Sequence, residues 1–217
     1  MKKGSKILIS IIIILIIITG GLYYSLIPNE RVTQNTNNKI VTEQDLLKNA
    51  SIDEFQLVKD PLRLKGEISI SRDEFQNIIY TVMNKYNVEE FKNSNVDIKD
   101  SKVKIKYPYK VLGFIDSQLE VNLIPTVVEN KLNILLTDAK LGKINISDKV
   151  LKEGLKKYQE KIPFRLENNT IIIDKSDTYP TTLNKVEITE KDILIGLEIQ
   201  ANNLIDFISK YNINVKQ

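Results

Sequence analysis

Cysteine, histidine and tryptophan are all missing from this 217-residue chain. Without cysteine there are no disulfides, no thiolate nucleophile, no zinc–thiolate site and no thioether for a lipoprotein-type acyl anchor. Without histidine the commonest general base and metal ligand is gone, and neither a Ser-His-Asp nor a Cys-His arrangement can be built. The eight glycines (Gly4, Gly20, Gly21, Gly66, Gly113, Gly142, Gly154 and Gly196) form no phosphate loop, dinucleotide fingerprint or G-x-S-x-G elbow. Net charge is also nearly absent. The chain carries 31 basic and 28 acidic residues, and Lys2, Lys3 and Lys6 at the N-terminus account for the whole excess. The remainder is neutral and lacks the net basic face a nucleic-acid binder needs.

Charge is missing altogether between Ile7 and Ile27. The run ILISIIIILIIITGGLYYSLI is 21 residues long, and outside its tyrosines only Ser10, Thr19 and Ser25 carry hydroxyls. A helix rising 1.5 Å per residue crosses a ~30 Å hydrocarbon core in about 20 residues, so the run is long enough to span. The three preceding lysines predict a cytoplasmic N-terminus, and Tyr23 and Tyr24 lie where aromatic rings favour the headgroup layer. Pro28 ends the helix. The competing reading is a cleaved signal peptide, whose apolar region runs ~7–15 residues before a small-residue site. The longer run, and the residues Tyr23, Tyr24, Leu26, Ile27 and Pro28 after it, favour an uncleaved anchor. Ile, Lys and Asn usage is that of an AT-rich bacterial genome. Residues 1–28 are therefore read as cytoplasmic stub and transmembrane anchor, 29–41 as a polar, flexible linker, and 42–217 as one extracytoplasmic domain.

Within that domain, Thr42 to Ala50 reads as a short helix with Thr42 as N-cap, and Leu62 to Ile70 alternates as a strand. Ser71 and Glu74 form an S-x-x-E capping box. Phe75, Ile78, Ile79, Val82, Met83 and Tyr86 then give one apolar stripe on a helix running to about Asn87. Most of the chain beyond this helix reads as antiparallel strands. They are Val96–Ile98, Val103–Tyr107, Tyr109–Ile115, Leu119–Leu123, Leu132–Leu136, Pro163–Glu167, Thr170–Asp174, Val186–Ile188 and Ile193–Ile199. Pro125 predicts a bulge or an edge position. Turns are expected at Glu129-Asn130-Lys131, Asn168-Asn169 and Glu190-Lys191-Asp192.

Ser147 caps a second helix. Its apolar side is Val150, Leu151, Leu155 and Tyr158, and its other side carries Lys152, Lys156, Lys157 and Lys161. That basic side is either a solvated face or a contact for anionic lipid or wall polymer. A closing helix over Ala201 to Tyr211 would use Leu204, Ile205, Phe207 and Ile208. The expected fold is α+β: an N-terminal transmembrane helix, then a curved antiparallel sheet packed on the long amphipathic helix.

The acidic pairs Asp53/Glu54, Asp73/Glu74 and Glu89/Glu90 suit helix starts and solvated faces, and nothing in the sequence places a carboxylate pair in a cleft. No catalytic residue, metal ligand or cofactor is assigned, and the expectation is a non-enzymatic protein. The feature in excess is apolar surface. Val111-Leu112, Phe114-Ile115, Ile171-Ile172-Ile173 and Ile193-Leu194-Ile195 are apolar on consecutive positions, where a one-sided sheet alternates. Such strands are covered by a core, by a partner or by a bound apolar ligand. On the last reading the candidates for a lipid groove are Phe75, Ile79, Met83, Leu112, Phe114, Ile172 and Leu194. The partners expected are the bilayer through residues 7–27, a lipid or lipid-linked envelope molecule, and, alternatively, a protein of an envelope assembly for which the chain is a scaffold. Nucleic acid is not expected.

The order of several segments carries a resemblance. GEISISRDEFQNIIYTVM from Gly66, LEVNLIP from Leu119, LNILLTDAKLGKINIS from Leu132 followed by VLKEGLKK, IPFRLENNTIIID from Ile162, and KVEIT with ILIGLEI near the end come after an N-terminal anchor. In this order they resemble the YpmS-like family of uncharacterised bacterial membrane-anchored proteins, over roughly Gly66 to Ile199. That resemblance implies a membrane-anchored envelope protein and brings no catalytic or binding motif. At the level of architecture alone there is a more distant likeness to tubular lipid-binding proteins.

Overall fold

The structure is a computed structural model that describes residues 3–42, 45, 56–204 and 206. Among the described residues it is α+β, with three α-helices and two antiparallel sheets. Helix α1 (Lys3–Leu26) contains the segment Ile9–Leu26, which is long and apolar enough to cross a membrane and has no fully buried residue. The smaller sheet has the order β1-β2-β11-β10, built from β1 (Gln56–Lys59), β2 (Leu62–Ser71), β11 (Asp192–Gln200) and β10 (Thr182–Ile188). The larger has the order β3-β4-β5-β6-β9-β8. Its strands are β3 (Asn95–Lys99), β4 (Lys102–Val111), β5 (Ile115–Val128), β6 (Lys131–Leu141), β9 (Thr170–Ile173) and β8 (Arg165–Glu167), with the short β7 (Ile144–Asn145) also on β6. The strands anticipated as one curved sheet are thus divided between two.

Helix α2 (Arg72–Lys85) begins where the capping box predicts. The Ser71 hydroxyl accepts from the Glu74 amide, and the Glu74 carboxylate accepts from the Ser71 amide at 2.8 Å. Reciprocal capping satisfies two donors that a helix start leaves unpaired. The apolar stripe of α2 faces the sheets, and Phe75, Ile78 and Ile79 pack against the core, yet no residue of α2 is fully buried. The core lies between the sheets. Ile68, Ile70, Leu183, Ile193 and Leu197 come from the smaller sheet and meet Val96, Ile98, Val103, Leu123 and Leu136 from the larger. Helix α3 (Asp148–Gln159) adds Leu151 and Leu155, and it carries Tyr158 against Phe91, whose ring also meets Tyr107 edge-on.

Both prolines inside strands sit where a ladder partner ends. Strand β4 pairs with β5 only as far as Val103 opposite Leu123, so Pro125 has β6 on one side and no β4 partner on the other. Pro108 pairs with Gln118 but lies past the last β3 partner, Lys106. A missing N–H costs nothing at such positions. The turns at Glu129-Asn130 and Asn168 adopt the left-handed backbone that tight hairpins require. The stretch Tyr109–Ile115, read as one strand, is instead the β4–β5 hairpin, with Val111 opposite Ile115 and Leu112 to Phe114 at its tip. Thr42 and Asp45 do make a reciprocal cap, the Asp45 amide donating to Thr42 Oγ1 at 3.2 Å and the Thr42 amide to Asp45 Oδ2 at 3.0 Å. The rest of that expected helix, and the closing helix beyond Leu204 apart from Asp206, lie outside the described residues. Ala201–Asn203 is a single 3-10 turn.

Candidate functional site: the seat of the N-terminal helix

The last turn of α1 rests on the larger sheet. The Ser117 hydroxyl donates to the Leu26 carbonyl at 2.6 Å, and the Lys143 amide donates to the Ser25 carbonyl at 2.8 Å. Both bonds satisfy carbonyls that a helix C-terminus leaves free. The Lys143 ammonium sits 3.4 Å from the centre of the Tyr24 ring, a cation–π contact. Gly142 occupies the turn between β6 and β7 with φ +61°, and a Cβ there would fall on the Leu26 carbonyl. Two physical demands, the left-handed backbone and the close approach of another chain segment, thus coincide on one glycine.

From the seat the chain runs across the domain. Pro28 is buried. Glu30 pairs with Lys106 at 3.2 Å, and the Val32 amide donates to Gln118 Oε1 at 3.0 Å. Asn95 Nδ2 reaches the Thr33 carbonyl at 2.7 Å, and Gln76 Nε2 donates to Asn38 Oδ1 at 2.8 Å. The amides of Lys39 and Val41 then donate to Asn77 Oδ1 and Thr81 Oγ1 on α2, at 2.8 and 2.9 Å. The polar segment read as a flexible spacer is therefore a strap, tied at each of these points. Its backbone has no regular secondary structure; side chains from β4, β5, β3 and α2 supply most of its hydrogen bonds, and the Asn35 amide donates to the Asn93 carbonyl at 3.2 Å. Gln118, 1% exposed, is bonded through both ends of its side-chain amide: Oε1 accepts from Val32 and Nε2 donates to Glu120 at 2.7 Å. It holds the strap in place.

The seven groove candidates fall in four parts of the fold. Phe75, Ile79 and Met83 share the α2 stripe, all half-buried. Ile172 is buried on β9, while its neighbour Ile171 packs against the main core, so both faces of that strand are covered. Leu194 alternates with the core residues Ile193 and Ile195 and lies half-buried on the outer face of β11. That face also carries the Arg63–Glu198 and Lys185–Glu67 ion pairs. Leu112 and Phe114 stand at the β4–β5 tip, 79% and 70% exposed. Ser117, Gln118, Gly142 and Lys143 were not anticipated. Gly142 between two apolar segments was the only sequence signal of a tight turn there.

An open cleft of about 380 Å³ lies at the α2 N-terminus. It is polar: Ser71, Arg72, Asp73, Asp97, Glu190, Lys191 and Asp192 line it with Ile98, and Arg72 and Asp73 are paired at 2.9 Å. Among the described residues no group of three or more His, Cys, Asp or Glu side chains is placed to hold a metal ion. On the α3 side, the Glu90 carboxyl is held below the usual range, first by a backbone hydrogen bond and further by Lys157 3.5 Å away. Burial pushes the Tyr107 phenol up. The basic side of α3 is partly self-neutralised, because Lys156 pairs with Glu153 and Lys157 with Glu90.

Comparison with known proteins finds no matching family model, no similar curated protein and no similar solved structure. The class these observations define is a small α+β domain seated on an N-terminal helix able to span a membrane.

Proposed function

We propose that this chain is a single-pass membrane protein of the bacterial envelope, with its N-terminus in the cytoplasm and its folded domain outside. There it binds a lipid or lipid-linked molecule without catalysing a reaction. The orientation rests on Lys2, Lys3 and Lys6 beside the apolar run. The observation that carries the binding reading is the junction between α2 and the sheets. The apolar side chains of Phe75, Ile79 and Met83 are only half-buried, while strand positions such as Val103 and Leu136 are 1% and 3% exposed. An acyl chain laid along that junction would cover apolar surface worth about 25 cal/mol per Å². The seat keeps the junction close to the lipid that would supply it.

The test uses the full chain extracted in mild detergent. Lipid that co-purifies with it would be identified by mass spectrometry, and saturable uptake of a fluorescent fatty-acyl probe measured. Met83→Gln should weaken uptake several-fold without unfolding the chain. Absence of both co-purifying lipid and probe uptake would overturn the proposal. A single dominant protein adduct in cell-envelope crosslinking would then favour the scaffold reading.

A further inference from the structure

We infer that the β4–β5 hairpin tip is a second membrane contact, inserted into the outer-leaflet interface of the bilayer that α1 crosses. The inference rests on α1 being a membrane span, and not on the domain carrying a lipid. Its first support is position. Leu26 is seated on Ser117, two residues into β5, and on the Gly142–Lys143 turn that ends β6. The β4–β5 tip is the same end of the same sheet, and Tyr109 directly faces Ser117 across the ladder. Leu112 and Phe114 lie just past the Val111–Ile115 pair, about three positions and ~10 Å along the ladder from the Ser117–Tyr109 pair. A bilayer that delivers α1 to its seat is thus brought to this end of the sheet.

The second support is chemistry. Leu112, Phe114 and Tyr109 are all exposed there, with Lys110 and Asp116 paired beside them at 3.3 Å. At the opposite end of the sheet the hairpin turns are polar, Asp100-Ser101 and Glu129-Asn130. An apolar, aromatic tip flanked by a lysine suits the boundary between headgroups and acyl chains.

The third support is the backbone. The turn places Leu112 at φ +53° and Gly113 at φ +80°, with the Phe114 amide donating to the Val111 carbonyl at 3.3 Å. The first of these positions favours Asn, Asp or Gly, and a bulky side chain there is strained. The strain gains no packing within the protein, since the leucine is exposed. A solvent turn would not keep it, whereas a lipid contact accounts for it.

The chain has no cysteine, so one introduced thiol reports one place. Leu112→Cys, Phe114→Cys and, at the far end, Asn130→Cys would each be labelled with an environment-sensitive fluorophore. The full chain would then be placed in phosphatidylglycerol–phosphatidylethanolamine vesicles. The expected result is a blue-shifted emission at positions 112 and 114, with at least threefold stronger quenching by lipid spin-labelled near the top of its acyl chain than at position 130. Aqueous iodide should quench the reverse way. In a second variant, Leu112→Asn should relax the turn, raise the melting temperature and move the label at Phe114→Cys toward water. Labels at 112 and 114 that behave like the one at 130 would overturn the inference. So would efficient disulfide formation between copies at Leu112→Cys, which would seat a second copy on the tip. Neither outcome depends on whether lipid co-purifies with the domain.

Discussion

The Ser117 hydroxyl donates to the Leu26 carbonyl at 2.6 Å, across 91 positions of sequence. This bond joins the end of the apolar helix to the start of β5 and makes the helix part of the domain. Removing it leaves a half-buried carbonyl unpaired. Ser117→Ala should cost about 1 kcal/mol in urea unfolding of the detergent-solubilised chain. An unchanged midpoint would mean that Leu26 does not rest on β5.

Gly142→Ala should act more strongly at the same place. It adds a Cβ at φ +61° where the Leu26 carbonyl already stands, and either effect alone costs on the order of 1 kcal/mol or more. The expected outcome is release of the seat with the two sheets intact. Protease cleavage within residues 29–41 should rise several-fold while the β-sheet circular dichroism is kept.

The strap can be tested by hydrogen exchange. The Lys39 and Val41 amides donate to Asn77 and Thr81, so both should exchange slowly for residues outside any helix or strand. Asn77→Ala with Thr81→Ala should speed exchange at both about tenfold, the factor that ~1.4 kcal/mol of lost protection gives. Fast exchange in the parent chain would identify the segment as a free tether.

Ser71→Ala removes the capping box of α2 and should destabilise the domain by about 0.5–2 kcal/mol. Calorimetry of the two variants side by side should show a smaller loss for Ser147→Ala, because Ser147 makes no side-chain cap bond to α3.

The acid limb of stability should report Asp138. This residue stands in a β-bulge, where Asp138 and Ala139 together oppose Val121, and its φ is +53°. Its carboxyl is held below the usual range, first by the Asn122 amide 2.8 Å away and then by Lys102. A depressed carboxyl stabilises the fold fully above the unfolded-state pKa, near 3.9, and that contribution is lost as pH falls through the folded-state value. Asp138→Asn keeps a residue that tolerates left-handed backbone. It should flatten the pH dependence of the melting temperature below about pH 4, and an identical slope would remove Asp138 from the account.

Local signals in the sequence settled much of the fold. The run from Ile7 to Ile27 gave the helix able to span a membrane, because length and lack of charge are readable without knowing what lies nearby. Ser71 and Glu74 placed the start of α2, and Asn130 and Asn168 placed hairpins, because caps and turns are chemistry among close neighbours. Alternation gave most strands, though it ran straight through the tip at Leu112, where exposure rather than pattern separates a turn from a strand. Which strands share a sheet was not legible. Strand β2 pairs with β11, more than 120 positions later, and no local propensity encodes a partner so distant. The seat and the strap were hidden for the same reason. A polar stretch such as NERVTQNTNNK looks like a solvated tether by composition. Most of its hydrogen bonds come from Lys106, Gln118, Asn95, Gln76, Asn77 and Thr81, which only the folded chain gathers along its path. Periodicity, length and capping thus determined the elements, whereas long-range hydrogen bonding and close packing decided that the end of the apolar helix and the segment after it are tied to the sheets.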